Sequence, residues 1–113
     1  MAISHTMSLV FLALLLLGTA SEATNDGKTW CVAKPSTDET ALYDNMNWAC
    51  SQVDCSVLRQ GCPCFYPDTV TNHASVAMNL YYQSRGRNKW NCDFKNSGLI
   101  TVTDPSYGSC SYQ

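Results

Sequence analysis

All seven cysteines of this chain fall between Cys31 and Cys110, behind an apolar leader. The part that follows the leader is about 90 residues, too few to be held comfortably by hydrophobic burial alone. Cysteines at that density in a secreted chain read as disulfides, so the fold is expected to be small, loop-rich and cross-linked. An odd count leaves one thiol over.

The secretory reading comes from Met7 to Leu17, an apolar run followed by the small residues Gly18, Thr19, Ala20, Ser21 and Ala23. A bilayer-spanning helix needs about 20 apolar residues, whereas a signal-peptide core needs fewer. Residues 1–23 are therefore expected to be a signal peptide cleaved after Ala20 or Ala23, although only His5 stands where Lys or Arg is usual. Residues 24–113 form the single expected domain. The charges of the full chain are scattered around a net of −2, with no basic run of the kind that binds nucleic acid. Arg85, Arg87 and Lys89 mark the end of a helix. No Asn-x-Ser/Thr sequon occurs, and Ser109 to Gln113 lacks the apolar tail of a lipid-anchor signal, which predicts a secreted product without a membrane anchor.

Thr29 to Lys34 is bulky and alternating enough for a short strand, and Pro35 ends it. Ser36 and Glu39 have the spacing of a capping box, which predicts a helix through Ala41, Leu42, Met46, Ala49 and Cys50, with Trp48 off that stripe. After the turn at Cys62-Pro63-Cys64, the residues Val70, Ala74, Ala77, Met78 and Tyr81 recur at helical spacing, with Asp68 or Thr69 as N-cap and Gly86 at the stop. Tyr81 and Tyr82 are adjacent and so point about 100° apart, which turns one ring away from the stripe. Lys89 to Phe94 and Leu99 to Thr103 read as two strands of a hairpin turned by Lys95 to Gly98. Asp104-Pro105-Ser106 is a turn that delivers Cys110. The order implies an α+β fold, two helices packed on a small antiparallel sheet and stapled by disulfides.

The residues give catalysis little to work with. His73, the only histidine after the leader, sits beside the apolar stripe and reads as packing. Asp44, Asp54, Asp68, Asp93 and Asp104 are placed like cap or turn residues, and no pair is set for glycoside cleavage. Cys62, Cys64 and His73 could be imagined around zinc, but the cysteines have better use as disulfides, so neither metal nor cofactor is expected. Binding is better supported. Trp30, Trp48, Trp90, Phe65, Tyr66, Tyr81, Tyr82, Tyr107 and Tyr112 are interleaved with Asn, Gln and Asp. A flat ring covers the C–H face of a sugar while amides and carboxylates take its hydroxyls.

Several blocks then match a family. Trp30 to Lys34, Ala49-Cys50, Asp54-Cys55, Cys64 to Val70, His73-Ala74-Ser75, Asn79 to Gln83, Cys92-Asp93-Phe94 and Thr103 to Cys110 together resemble the X8 domain, the plant carbohydrate-binding module family 43. Members of that family are fused to plant β-1,3-glucanases, occur in lipid-anchored callose-binding proteins, or stand alone as small secreted proteins similar to a pollen allergen. This chain looks like the third kind. The resemblance implies a non-catalytic protein of the plant cell wall that binds linear β-1,3-glucan such as callose or laminarin. It also implies the pairs Cys31–Cys92, Cys50–Cys55 and Cys64–Cys110. Cys62 lies outside that framework and is expected to be free or to link two chains in a dimer, unless it competes with Cys64 for Cys110.

The expected contact surface is the outward face of the second helix and its adjoining turns. Tyr81 and Tyr82 are the stacking candidates, with Asn79, Gln83 and Asp54 as hydrogen-bonding candidates. The alternative reading is a disulfide-rich small-ligand carrier or defence protein of the lipid-transfer type. Cys62-Pro63-Cys64 has the Cys-x-Cys of that type, but the adjacent Cys-Cys pair and the eighth cysteine are missing.

Overall fold

The computed structural model describes residues 27–113. The expected signal peptide and both of its expected cleavage points lie outside the described residues. Strand β1 (Trp30–Ala33) buries Trp30, Cys31 and Ala33, and the chain turns directly after it. The Thr37 amide donates to the Lys34 carbonyl at 3.0 Å, closing a turn with Pro35 at its preferred second position. That turn consumes Ser36, so the predicted Ser36 cap does not form. Asp38 caps α1 (Glu39–Gln52) instead, its Oδ1 accepting from the Ala41 amide at 2.8 Å.

Helix α1 turns Leu42, Asn45 and Ala49 inward and stops at Val53, where the chain becomes extended. The Cys50–Cys55 disulfide ties that end to the following 3-10 turn, Ser56–Leu58. Helix α2 (Val70–Ser84) starts on Thr69, whose hydroxyl accepts from the Asn72 amide at 3.2 Å. It stops in a left-handed cap. Gly86 has φ 84°, its amide reaches the Gln83 carbonyl at 3.1 Å, and the Arg87 amide reaches the Tyr82 carbonyl at 3.0 Å.

The single apolar stripe expected on α2 is too narrow, because the helix is covered on more than one side. Ala74 through Asn79 are all buried, and so is Tyr82. Helix α1 and β1 both pack against α2, and two apolar clusters result. One joins Cys31, Ala33, Leu42, Ala74, Met78, Tyr82 and Cys92; the other joins Trp30, Val76, Tyr112 and the Cys64–Cys110 disulfide.

Between the clusters, α2 serves β1 as a neighbouring strand would. Asn79 Oδ1 accepts from the Cys31 amide and Ser75 Oγ from the Ala33 amide, both at 3.0 Å. Two residues of strand rise about 6.7 Å and four residues of helix rise about 6 Å, so the spacings match.

The other edge of β1 pairs antiparallel with β2 (Gly98–Thr101), with Trp30 opposite Thr101 and Ala33 opposite Gly98. The result is two helices on a two-stranded antiparallel sheet with three disulfides. The hairpin predicted between residues 89–94 and 99–103 does not form. Lys89–Cys92 is a 3-10 turn, and Phe94, Lys95 and Asn96 adopt left-handed φ values of 44°, 53° and 66°. The Cys31–Cys92 disulfide fixes Cys92 against β1, which leaves β1 as the partner for β2. Gly98 is required there, because an added Cβ would lie 1.7 Å from the Cys92 carbonyl oxygen.

Candidate functional site

Helix α1 presents Ala41, Asp44, Asn45 and Trp48 at i, i+3, i+4 and i+7, all on one face. Across from them α2 contributes Tyr81. The 3-10 turn adds Trp90 and Asn91, and the left-handed loop adds Phe94, Lys95 and Ser97. Together they line an open groove of about 490 Å³. Tyr81 forms its aromatic centre, with Trp48 edge-on at 6.2 Å and Phe94 at 5.9 Å between ring centroids. The Arg85 guanidinium lies 5.0 Å from the Tyr81 centroid, a cation–π distance that helps hold the ring in place.

The two indoles of the lining are exposed, Trp48 by 53 % and Trp90 by 73 %. Two tryptophans left in water contribute little to folding, and their sharing one groove makes it the candidate binding surface. The Asp44 carboxylate, the Asn91 amide and the Lys95 ammonium supply acceptors and donors around the rings.

Of the five surface residues expected from sequence, Tyr81 alone lines this groove. Tyr82 is 2 % exposed and its hydroxyl meets Thr29 Oγ1 at 2.7 Å, so its ring cannot stack on a ligand outside. Asn79 is 1 % exposed and is committed to the Cys31 amide. These two placements correct the outward face assigned to α2. The physical reason is the double coverage of the helix, which draws Tyr82 into the core and turns Tyr81 out. Gln83 donates to the Thr29 carbonyl at 2.8 Å and to Asn79 Oδ1 at 3.2 Å. Asp54 is exposed beyond the end of α1, away from the groove lining. The Ser56 amide donates to its carboxylate at 2.8 Å and holds it below the ordinary carboxylate range.

Sequence reasoning counted Trp48 and Trp90 among the aromatics that favour binding but did not choose them, nor Asp44, Asn91 or Lys95, as contact candidates. One signal was there for Trp48, which sits off the apolar stripe of α1. Trp90 stood out only as one of the many aromatics while its segment read as a strand.

His73 is largely covered: its Nε2 meets the Phe65 carbonyl at 2.6 Å and its ring lies 5.3 Å from the Phe65 ring. Cys64 is bonded to Cys110, so a Cys62, Cys64 and His73 metal set would lack one of its three ligands. Cys62 is the free thiol among the described residues. It is half-buried in a second open pocket, of about 460 Å³, beside Tyr66, Tyr107 and Ser109.

Comparison with known proteins places this architecture. The family profile described as X8 domain matches residues 29–99. A glucan endo-1,3-beta-D-glucosidase of Olea europaea is 51 % identical over 85 residues, which cover 74 % of this chain and 18 % of that enzyme. A glucan endo-1,3-beta-glucosidase of Triticum aestivum is 48 % identical over 86 residues, 76 % of this chain and 19 % of the enzyme. The chain thus spans about a fifth of the length of those glucosidases. The major pollen allergen Ole e 10 of Olea europaea is 47 % identical over 91 residues, 79 % of this chain and 74 % of the allergen. With the family match running from just before β1 into β2, and an allergen relative matched over most of its own length, the chain belongs to the X8 domain family.

Proposed function

We propose that the protein binds β-1,3-glucan through the Trp48–Tyr81–Trp90 groove without cleaving it. The observation that carries this reading is the pair of exposed indoles, Trp48 and Trp90, that share one groove with Tyr81, Asp44, Asn91 and Lys95. Sugars present alternating apolar C–H faces and hydroxyl edges, and this lining offers partners to both. The match to segments of glucan endo-1,3-beta-glucosidases supports a β-1,3-glucan as the ligand. Asp44 is the sole carboxylate of the groove lining, whereas glycoside hydrolysis ordinarily uses two flanking the scissile bond. That supports binding without hydrolysis.

The apolar leader and three disulfides support an oxidising, extracellular location, and the ligand class supports the plant cell wall. The lipid-carrier reading is not favoured, because the space between the helices is filled by Leu42, Met78 and Tyr82. Retention on insoluble β-1,3-glucan against cellulose tests the proposal. Selective retention supports it; equal or absent retention on the two polymers removes it.

A further inference from the structure

We infer that Asn45 reads ligand hydroxyls at the floor of the groove, as an acceptor whose orientation Ser97 sets; this rests on the glucan-binding reading above. The Phe94 carbonyl can only accept, so the Ser97 hydroxyl gives it its one hydrogen. Ser97 Oγ can then only accept from Asn45, whose Nδ2 donates to it at 2.7 Å. The same Nδ2 lies 3.8 Å from the Met78 sulfur. An amide carries its donors on nitrogen and its acceptor on oxygen, so pinning Nδ2 against Ser97 decides which way Oδ1 faces.

Asn45 lines the groove while being only 8 % exposed. Its Oδ1 has no hydrogen-bond partner among the described residues, yet the buried polar side-chain atom left unpaired among them is Trp30 Nε1. Oδ1 is therefore the part of Asn45 that remains open to the groove. A fixed, unpaired acceptor at the base of an aromatic slot favours a ligand that turns a free O–H toward it. A position that is deoxygenated or methylated cannot donate there and is disfavoured.

The test is calorimetric titration of the protein with a β-1,3-gluco-oligosaccharide and with its 2-, 4- and 6-deoxy analogues. One analogue is expected to bind wild type about tenfold more weakly than the parent and to bind Asn45→Ala as well as the parent does. Wild type that discriminates against no analogue, or discrimination that survives in Asn45→Ala, overturns the Asn45 assignment. Trp48→Ala serves as the separate control, because undiminished parent binding there overturns the groove reading itself. Should Asn45→Ala fail to fold by its amide NMR spectrum, ¹⁵N-labelled wild type decides. Asn45 side-chain resonances that shift with the parent and not with the disfavoured analogue support the assignment, and resonances unmoved by either overturn it.

Discussion

Asn79 Oδ1 and the Cys31 amide meet at 3.0 Å across 48 positions of sequence, joining the middle of α2 to the free edge of β1. Both groups are buried, so the bond satisfies a strand amide that has neither water nor a third strand to turn to. Asn79→Leu removes the acceptor and leaves that amide unpaired. It is expected to cost about 1–3 kcal/mol and to lower the melting temperature by several degrees or more, measured by thermal unfolding with the disulfides intact. An unchanged melting temperature would show that α2 does not complete the sheet.

The groove and the face of α2 that holds Tyr82 separate cleanly by experiment. Tyr82→Phe deletes the hydroxyl that meets Thr29 and is expected to lower stability by about 1 kcal/mol while leaving glucan affinity unchanged. Trp48→Ala removes a ring that is half in water and edge-on to Tyr81, so stability should fall by about 1 kcal/mol while affinity falls about tenfold. Denaturant unfolding and calorimetric titration on the same two variants check both halves. The opposite pattern would move the binding surface back onto the face that holds Tyr82.

The α+β layout was legible in the sequence because α1 and α2 announce themselves by periodicity, by Thr69 as a cap and by Gly86 as a stop. The partner of β2 was not legible. Residues 95–98 resemble a hairpin turn by composition, and nothing local says that three consecutive non-glycine residues, Phe94 to Asn96, take left-handed backbone. That loop carries Phe94 and Lys95 into the groove, so misreading it hid one wall of the site. The tyrosine choice failed for a different reason. Helical spacing gives the angle between Tyr81 and Tyr82 but not how many sides of α2 are covered, and coverage by both α1 and β1 decides which ring is inside.

The three disulfides should contribute unequally. On the chain-entropy argument, the loops closed by Cys31–Cys92 and Cys64–Cys110, with separations of 61 and 46 residues, are worth about 4 kcal/mol each, and the five-residue Cys50–Cys55 loop about 2 kcal/mol. Paired Cys→Ala variants should follow that order in denaturant unfolding. Cys62→Ser should leave stability within about 0.5 kcal/mol of wild type while abolishing maleimide labelling of the native protein. Native wild type that resists labelling, with a Cys62–Cys110 peptide under non-reducing digestion, would show that the pairing is shuffled.

Gly98 should not tolerate a side chain. An alanine Cβ would sit 1.7 Å from the Cys92 carbonyl oxygen, a backbone atom that the Cys31–Cys92 disulfide holds in place. Gly98→Ala is therefore expected to destabilise by more than about 2 kcal/mol, the range of overpacked sites. Because β2 leads out of the loop that carries Phe94 and Lys95, glucan affinity should fall as well, even at temperatures where the variant stays folded. Wild-type stability in this variant would show that the loop can move away from β1.

Alkaline pH should weaken the fold through Tyr112. Burial of its phenol, with a smaller contribution from nearby Tyr107, pushes the hydroxyl well above the ordinary tyrosine value of 10.0. Below pH 10 the phenol is neutral in both the folded and the unfolded chain, and the stabilisation is fully present. As pH rises past 10 the unfolded chain releases the proton while the folded chain keeps it. The unfolded state then binds fewer protons, and stability falls with pH. Tyr112→Phe has no proton to lose and should flatten that decline while changing stability little at neutral pH. The comparison belongs in a Cys62→Ser background, which removes the free thiol as a route to disulfide exchange. Denaturant midpoints between pH 8 and pH 11 provide the measurement, and parallel declines in the two proteins would assign the alkaline loss to other groups.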